Sequence, residues 1–350
     1  MDYELTLFDR LEVIKSTNAK HDLEHNAYLS FSGGKDSTVL HYLLDKALPN
    51  NRIPRVFIDT GIEYQKVREF VLNLAKDDDR FVILKPTQAI KPMLEKHGYP
   101  FKSKEFSKVV NSYQIQKEEI DKYINMPTQE LKEFFLVHQD IEKSLMGKGV
   151  FVIYFLHGIR PIRDKQSNVI DYDIAVKHKC PQMLRHLFTK DFSLHLSSNC
   201  CLKLKKEPAH KWSHQNNRPI VMTGMKQEEG GQRENIKGCV LTDKNGNVTK
   251  FHPLLVVDEQ WENEFVTKLE SERGGHILCE LYYPPYNFRR SGCKGCPYAM
   301  DIQHQLDVME QFMPNERKQC EMIWKPVYDE YRRLNYRLKK NEQLSLLEEK

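Results

Sequence analysis

Short apolar runs followed by amphipathic segments dominate the N-terminal part of the chain. Residues 28–31 form an apolar run typical of a buried strand, and an amphipathic helical pattern begins at Ser37. Residues 53–58 repeat the strand pattern, and residues 63–76 repeat the helical pattern with apolar side chains on one face. This strand–helix–strand–helix order predicts a parallel sheet with right-handed crossovers, in which ligands bind beyond the carboxyl ends of the strands.

The remaining pattern predicts one more strand of this sheet and two helical regions. Residues 219–222 have the pattern of a strand, residues 108–148 are polar and helix-forming, and the chain beyond Met300 is charged and helix-forming. We therefore predict an α/β fold, with a Rossmann-like parallel-sheet domain, a helical insertion and a C-terminal cysteine-rich and helical module. The predicted boundaries are 1–25 for an N-terminal extension, 26–265 for the sheet domain and 266–350 for the C-terminal module.

The most informative motif is Ser32-Gly33-Gly34-Lys35-Asp36-Ser37, called the glycine loop below, between the first predicted strand and helix. Two successive glycines allow a tight turn in which several backbone N–H groups converge on one anion, and the helix adds the positive end of its dipole. Lys35 adds a positive charge, and Ser32 and Ser37 add hydroxyl donors. We predict phosphate or pyrophosphate binding here. The alternative is a plain Gly-Gly turn capped by Asp36 or Ser37.

A second turn, Asp59-Thr60-Gly61, follows the second predicted strand. Because parallel strands place their carboxyl ends at one edge of the sheet, we expect this turn and the glycine loop to face one crevice. An Asp-Thr-Gly sequence is a weak signal by itself, since it also occurs in aspartic proteases and ordinary turns. We nevertheless predict that Asp59, Thr60 and Gly61 lie beside the ligand.

Eight cysteines include two distinctive pairs, adjacent Cys200-Cys201 and Cys293-x-x-Cys296. A Cys-x-x-Cys turn lets two thiolates face one metal, and four such thiolates suit Zn²⁺ or an iron–sulfur cluster. A structural zinc site would usually have two spaced knuckles, which adjacent cysteines do not form. Free or redox-active thiols are a further alternative.

Overall charge and hydropathy indicate a cytoplasmic enzyme rather than a membrane protein. Lysine and arginine number 53 against 49 aspartates and glutamates, so the net charge does not imply a nucleic-acid partner. No apolar run approaches the roughly 18 residues needed to span a bilayer. Residues 1–22 lack the apolar core of a signal peptide.

Three of these motifs carry a resemblance to a known family. The glycine loop resembles the pyrophosphate-binding loop of the N-type ATP pyrophosphatases, and it lacks the spacing of a Walker loop. The Asp-Thr-Gly turn is similar to the turn beside the nucleotide in the phosphoadenylyl-sulfate (PAPS) reductase family. Cys200-Cys201, followed by Lys205, Pro208 and the distant Cys-x-x-Cys, resembles the [4Fe–4S] pattern of adenylyl-sulfate (APS) reductases. The resemblance covers about residues 26–300 and implies the adenine nucleotide alpha-hydrolase-like fold.

The resemblance also implies roles for the segment that follows the third predicted strand. Thr223 and Gly224 begin a stretch similar to the family's Gly-x-Arg-Arg-Asp-Glu-Ser segment, and Arg233 matches a later arginine that engages nucleotide phosphates. Lys226 and Gln227 replace the arginine pair, so one bidentate phosphate donor is missing. Residues 251–255 resemble the segment that closes the nucleotide domain, and we interpret them as structural.

One departure from the family bears on the reaction. Sulfonucleotide reductases carry a mobile C-terminal Glu-Cys-Gly-x-His nucleophile, whereas residues 344–350 contain no cysteine. We therefore predict an adenylating, ATP-dependent sulfur-transfer enzyme with a [4Fe–4S] cluster. Its catalytic residues would be Lys35, Asp36 and Arg233, and Asp36 would help to place Mg²⁺.

Two alternatives stay open. One is a divergent APS/PAPS reductase that forms sulfite with a thiol reductant, for which Cys320 is the first candidate nucleophile. The other is a non-catalytic, nucleotide-binding iron–sulfur regulator. The expected partners are an adenine nucleotide, a sulfur donor or thiol reductant and a nucleic-acid acceptor, and we expect a homo-oligomer.

Overall fold

The computed structural model describes residues 2–147, 149–175 and 179–339. Within these residues the chain forms two compact units. The first unit comprises residues up to 90, 201–295 and 304–320. The second unit comprises residues 91–200, 296–303 and the chain from 321 onward. These units cut across the linear boundaries predicted from the sequence, because each unit is assembled from segments far apart in the chain.

The helices of the described residues are α1 Tyr3–His21, α2 Leu23–Asn26, α3 Lys35–Ala47, α4 Gln65–Asp77, α5 Ile90–His97, α6 Lys104–Ile115, α7 Lys117–Ile124, α8 Thr128–Val137, α9 Gln139–Leu145, α10 Val150–His157, α11 Glu207–Gln215, α12 Glu259–Arg273, α13 Ile302–Phe312 and α14 Pro314–Arg333. The strands are β1 Ala27–Ser30, β2 Arg55–Ile58, β3 Phe81–Leu84, β4 Ile159–Arg163, β5 Val169–Ile174, β6 Ile220–Met222, β7 Val240–Thr242 and β8 Val248–Phe251. Among the described helices, none combines the length and apolar character needed to cross a membrane.

A six-stranded sheet organises the first unit, in the order β3-β2-β1-β6-β8-β7. All neighbouring strands pair in parallel except β7, which runs antiparallel to β8 at the edge. The predicted α/β class and parallel sheet are therefore confirmed. The strand expected over residues 53–58 begins only at Arg55. Pro54 has no N–H to donate, although its carbonyl accepts a hydrogen bond from the Leu29 N–H (2.8 Å).

One apolar core joins β1, α3 and the helices α1 and α12. The apolar α3 residues without exposed surface are Val39, Leu40, Leu43 and Leu44. Burying each such side chain stabilises the fold by roughly 1.5–3 kcal/mol. The expected N-terminal extension contributes to this core, since Ile14 of α1 is buried and the Trp261 indole N–H of α12 donates to the Tyr3 carbonyl (3.2 Å).

The second unit contains most of α5, then α6–α10, the antiparallel β4–β5 hairpin and the end of α14. Of the residues 108–148 expected as a helical insertion, α6–α9 cover most of the range up to Leu145, and residue 148 lies outside the described residues. The hairpin was not predicted. Its strand β5 follows a buried–exposed–exposed pattern rather than strict alternation, so the period of two that marks a strand is missing.

Candidate functional site

The glycine loop connects β1 to α3 in the first unit, and its shape depends on Gly33. This residue has φ of +72°, a backbone conformation that residues with a Cβ rarely adopt. A Cβ on Gly33 would lie 2.8 Å from Val67 and 2.8 Å from Val71, both on α4. Both the left-handed backbone and the close approach of α4 therefore require glycine at this position.

Hydrogen bonds within the loop hold it in its turn. The Ser32 N–H donates to the Ser37 hydroxyl (3.2 Å), and that hydroxyl donates to the Gly34 carbonyl (3.0 Å). Thr38 donates to the same carbonyl from both its N–H (3.0 Å) and its hydroxyl (3.0 Å). Ser37 therefore shapes the loop rather than projecting from it.

A polar cavity of about 390 Å³ opens beside the loop, entirely within the first unit. The loop and basic residues on its wall include Ser32, Gly34, Lys35, Asp36, Arg289 and Arg290. The two arginines belong to none of the motifs singled out from the sequence. They are functional candidates that sequence reasoning missed, and the available signal was their position just before Cys293.

Four charged groups form a network at the polar cavity, and Lys35, Asp36 and Lys226 among them line it. The Lys226 ammonium lies 3.1 Å from the Asp36 carboxylate and 2.7 Å from Glu262, while Lys35 lies 3.5 Å from Glu262. Burial, reinforced by Asp36, raises the pKa of Glu262 to about 7, although Lys226 opposes that shift. Burial alone would lower the pKa of Lys226, but Glu262 and Asp36 raise it to about 12.

A second cavity, of about 380 Å³, is also lined by Ser32 and is mainly apolar. Its apolar wall includes Tyr28, Phe31, Phe57, Ile58 and Val221. These residues lie in or directly after β1, β2 and β6, which places the apolar cavity along the central strands of the sheet. Because Ser32 lines both cavities, a ligand with an apolar ring and a charged tail could occupy the two together.

Thr223 and His252 provide polar groups in the apolar cavity. The Thr223 hydroxyl and His252 Nδ1 share a hydrogen bond of 2.8 Å, while the buried His252 Nε2 has no hydrogen-bond partner among the described residues. Burial, with a further effect of Lys250, lowers the pKa of His252, so the ring is neutral near pH 7. His252 was interpreted as structural, yet the structure makes it a lining residue with one ring nitrogen available.

Gly224 brings the end of β6 against the glycine loop. A Cβ at Gly224 would lie 2.7 Å from the Asp36 carbonyl oxygen and 2.8 Å from the Asp36 Cβ. The predicted site residue Gly224 therefore acts through close backbone packing. This contact sets the position of the first turn of α3.

The predicted Asp-Thr-Gly turn lines neither cavity. The Asp59 carboxylate accepts a hydrogen bond from Arg68 Nε (2.9 Å). Thr60 donates to the Glu63 carboxylate from its N–H (2.9 Å) and its hydroxyl (2.8 Å). The turn therefore holds Glu63, which does line the apolar cavity.

Two of the four predicted cluster ligands, Cys201 and Cys293, lie in the first unit, whereas Cys200 and Cys296 belong to the second. Cys293 pairs with Glu63 in an antiparallel bridge, and the Lys205 ammonium lies 3.2 Å from Glu63. Burial raises the pKa of Cys293, and Lys205 opposes that rise. No group of three or more His, Cys, Asp or Glu side chains within the described ranges is arranged for a metal ion. The four-cysteine cluster stays a prediction.

Other sequence predictions fall outside the two cavities. Arg233 lies in a short 3₁₀ turn at Gly231–Asn235 and lines neither cavity, so its contact with phosphate stays a prediction. Cys320 has no exposed surface in α14, and its thiol lies 3.9 Å from the Met309 sulfur. Burial raises the pKa of Cys180 to about 11 and that of Cys279 to about 11. These thiols are therefore poor nucleophiles at neutral pH.

Comparison with known proteins agrees with the resemblance seen in the motifs. Residues 26–127 and 159–299, more than half of the chain, match the family model of the phosphoadenosine phosphosulfate reductase domain. A stretch of 94 residues, 27% of this chain, is 35% identical to an uncharacterized protein of Methanocaldococcus jannaschii, and it covers 22% of that relative. A solved PAPS reductase from Candida auris, in a phosphate complex, aligns with 73% of this chain and 76% of its own, with 14% identity and a TM-score of 0.34.

Proposed function

The chain belongs to the phosphoadenosine phosphosulfate reductase domain family, an enzymatic family, and on that premise we propose that it is an ATP-dependent sulfur-transfer enzyme. The observation that carries this proposal is the pair of cavities that share Ser32 as a lining residue. The polar cavity suits a polyphosphate, and the apolar cavity suits a nucleoside. A nucleotide bound across the glycine loop would fill both.

The proposed reaction has two steps. An oxygen of the acceptor, a nucleic acid in our proposal, attacks the α-phosphorus of ATP, and the bond to pyrophosphate breaks. The sulfur of a donor then attacks the acceptor carbon or phosphorus bonded to that adenylylated oxygen, a new bond to sulfur forms, and AMP leaves with the oxygen. Lys35 would contact the phosphates, and Asp36, on the wall of the polar cavity, would help to place Mg²⁺.

We also propose that Cys200, Cys201, Cys293 and Cys296 hold a [4Fe–4S] cluster. The donor chemistry fits, since Cys201 and Cys293 lie in the electrostatic field of Lys205. The positive charge of Lys205 would offset the negative charge of the thiolates. When bound, the cluster would supply a site that carries or polarises sulfur. The purified protein should contain about four iron and four sulfide per chain. Cys293→Ser should lose them and Cys239→Ser should keep them, whereas one zinc per chain would contradict the proposal.

The placement of the remaining thiols favours sulfur transfer over the reductase alternative. Cys180, Cys279 and Cys320 are buried, and the partly exposed Cys239 lines neither cavity. A reductase would need an accessible thiolate to attack the sulfur of APS or PAPS. Among the described residues, no thiol outside the four predicted ligands is placed for that role. A reductase of this architecture would therefore depend on an external thiol.

The decisive assay measures the conversion of ATP to AMP and pyrophosphate. With α-labelled ATP, Mg²⁺ and either tRNA or duplex DNA as acceptor, the protein should release AMP and pyrophosphate only when the acceptor is present. Lys35→Ala should lose this activity. Lys46→Ala is the matched control, because Lys46 lies at the far end of the same helix and its nearest carboxylate is Glu272 at 3.9 Å. Sulfite formation from APS or PAPS with thioredoxin, without ATP, would instead establish the reductase alternative.

A further inference from the structure

Both lysines of the polar cavity already face carboxylates. The Lys35 ammonium lies 3.4 Å from Glu259 and 3.5 Å from Glu262. The Lys226 ammonium lies 3.1 Å from Asp36 and 2.7 Å from Glu262. Most of their positive charge is therefore balanced within the protein. A polyphosphate entering the cavity needs additional cations.

Arg289 and Arg290 bring two guanidinium groups to the same cavity. Both line the polar cavity and both are exposed, and Arg289 forms no ion pair with any residue that the structure describes. A guanidinium group presents two parallel N–H donors to a phosphate, which a lysine cannot do. We propose that Arg289 and Arg290 are the phosphate-binding arginines of this chain. They take the place of the arginine pair that is missing at Lys226 and Gln227.

This proposal rests on the proposed function for its substrate class. With two guanidinium groups added to the lysines, the polar cavity is suited to the polyphosphate tail of a nucleoside triphosphate. A nucleoside monophosphate, with one phosphate bound at the loop, would gain less from the arginines. The expected ligand is therefore ATP rather than a nucleotide with a single 5′-phosphate.

Tyr282 fixes the arginine segment to the glycine loop. Its hydroxyl accepts hydrogen bonds from the Lys35 N–H (2.9 Å) and the Ser291 N–H (3.2 Å), and it lies 2.7 Å from the Ser291 hydroxyl. One phenol thus joins the first residue of α3 to the residue that follows the arginines. Tyr282 is a positioning residue for Arg289 and Arg290.

The other end of the segment is also held. The Lys294 N–H donates to the Ile62 carbonyl (2.8 Å), and Cys293 pairs with Glu63. The buried Lys294 ammonium donates to Gln319 (2.6 Å). Residues 289–294 therefore form one anchored segment that carries both the arginines of the polar cavity and Cys293. Phosphate recognition and the predicted sulfur-handling cysteine are adjacent in the same segment.

Inorganic tripolyphosphate tests the arginines without the nucleoside. By calorimetric titration of the full chain, Arg289→Ala should weaken tripolyphosphate binding about ten-fold, the scale of a lost charge-assisted hydrogen bond. Arg289→Lys should be intermediate, because it keeps the charge and loses the bidentate geometry. Arg52→Ala is the matched control, since the exposed Arg52 pairs only with Asp79 in the described residues, away from the cavity. Equal binding by wild type and Arg289→Ala, or no binding by wild type, would overturn the proposal.

Tyr282→Phe tests the positioning role. It should weaken tripolyphosphate binding several-fold while Tyr283→Phe does not, because the Tyr283 hydroxyl bonds to Glu270 and the Leu278 N–H instead. Unchanged binding in Tyr282→Phe would remove Tyr282 from the proposal. ATP and AMP are titrated in parallel. If tripolyphosphate bound in an arginine-dependent way but ATP did not bind, the role of Arg289 and Arg290 in phosphate binding would be supported. The proposed ATP-dependent function would then be refuted.

Discussion

The glycine loop and the Asp-Thr-Gly turn occupy equivalent places in the sheet and differ in what their polar groups do. The loop follows β1 and the turn follows β2, and each precedes a helix. Lys35 and Asp36 of the loop line the polar cavity. In the turn, by contrast, Asp59 bonds to Arg68 and Thr60 bonds to Glu63.

This difference shows that position at the carboxyl end of a parallel strand is not sufficient for ligand binding. Lys35 and Asp36 reach the polar cavity although both also have charged partners within the protein. Asp59 and Thr60 reach neither cavity, so the turn contributes only indirectly, by holding Glu63.

The largest expected effect separates Gly33 from Gly61. Both have positive φ, +72° and +78°, but a Cβ on Gly33 would lie 2.8 Å from Val67, whereas a Cβ on Gly61 has no neighbour within 4 Å. Gly61→Ala should cost about 1–2 kcal/mol of unfolding free energy for the left-handed backbone. Gly33→Ala should cost about 2–5 kcal/mol, because overpacking adds to the backbone strain. Urea denaturation measures both, and equal losses would show that α4 moves aside without cost.

The next effect concerns nucleotide affinity. Lys35→Ala should weaken ATP binding by roughly 1–3 kcal/mol, the scale of a lost charged hydrogen bond. Arg68→Ala, which removes the partner of Asp59 in the turn, should leave ATP affinity within two-fold. The dissociation constant for ATP is measured by titrating ATP into wild type and both variants. Equal weakening by the two variants would mean that the turn also contacts the nucleotide.

Glu262 should make stability depend on pH in a direction opposite to that of an ordinary paired carboxylate. Its pKa is raised from 4.5 to about 7 in the folded protein, mainly by burial. The folded state therefore keeps a proton that the unfolded state has lost, and the unfolding free energy should fall as pH rises from about 4.5 to about 7. The fall should be about 1–3 kcal/mol, since each pKa unit corresponds to about 1.4 kcal/mol.

Glu262→Gln should flatten this part of the stability profile. Glu264→Gln on the same helix should not, because Glu264 is exposed and pairs with Lys268 (3.2 Å). Denaturant titrations at several pH values between 4.5 and 8 compare the three proteins. If the unfolding free energies of wild type and Glu262→Gln changed with pH in parallel, the pKa of Glu262 in the folded protein would be that of an ordinary glutamate.

The sequence predicted the parts of the fold and site that are encoded locally. The glycine loop and the strand before it occupy adjacent residues, and so do the first crossover helices. Their apolar periodicity and turn residues therefore identify them without knowledge of the rest of the chain. The β4–β5 hairpin was missed in part because the burial pattern of β5 does not alternate. The division into two units was not predicted, because each unit is defined by contacts between segments that are distant in the sequence.

The missed site residues have the same explanation. The Tyr282 hydroxyl accepts a hydrogen bond from the Lys35 N–H, which lies 247 positions away in the sequence. No local sequence pattern predicts that contact. The same long-range packing brings Arg289 and Arg290 to the polar cavity. His252 was interpreted as structural because residues 251–255 resemble the family segment that closes the nucleotide domain. Only the assembled sheet places it beside Thr223.

The smallest expected effect is the most direct test of the turn. Asp59→Asn removes a negative charge but keeps an oxygen that can accept the hydrogen bond from Arg68, whose side chain is 46% exposed. Solvent screens such a pair, so stability should change by less than about 1 kcal/mol. ATP affinity should also stay within two-fold, because Asp59 lines neither cavity. If Asp59→Asn instead weakened ATP binding ten-fold, the carboxylate would serve the ligand or its metal. The contrast between loop and turn would then be one of distance from the nucleotide rather than of role.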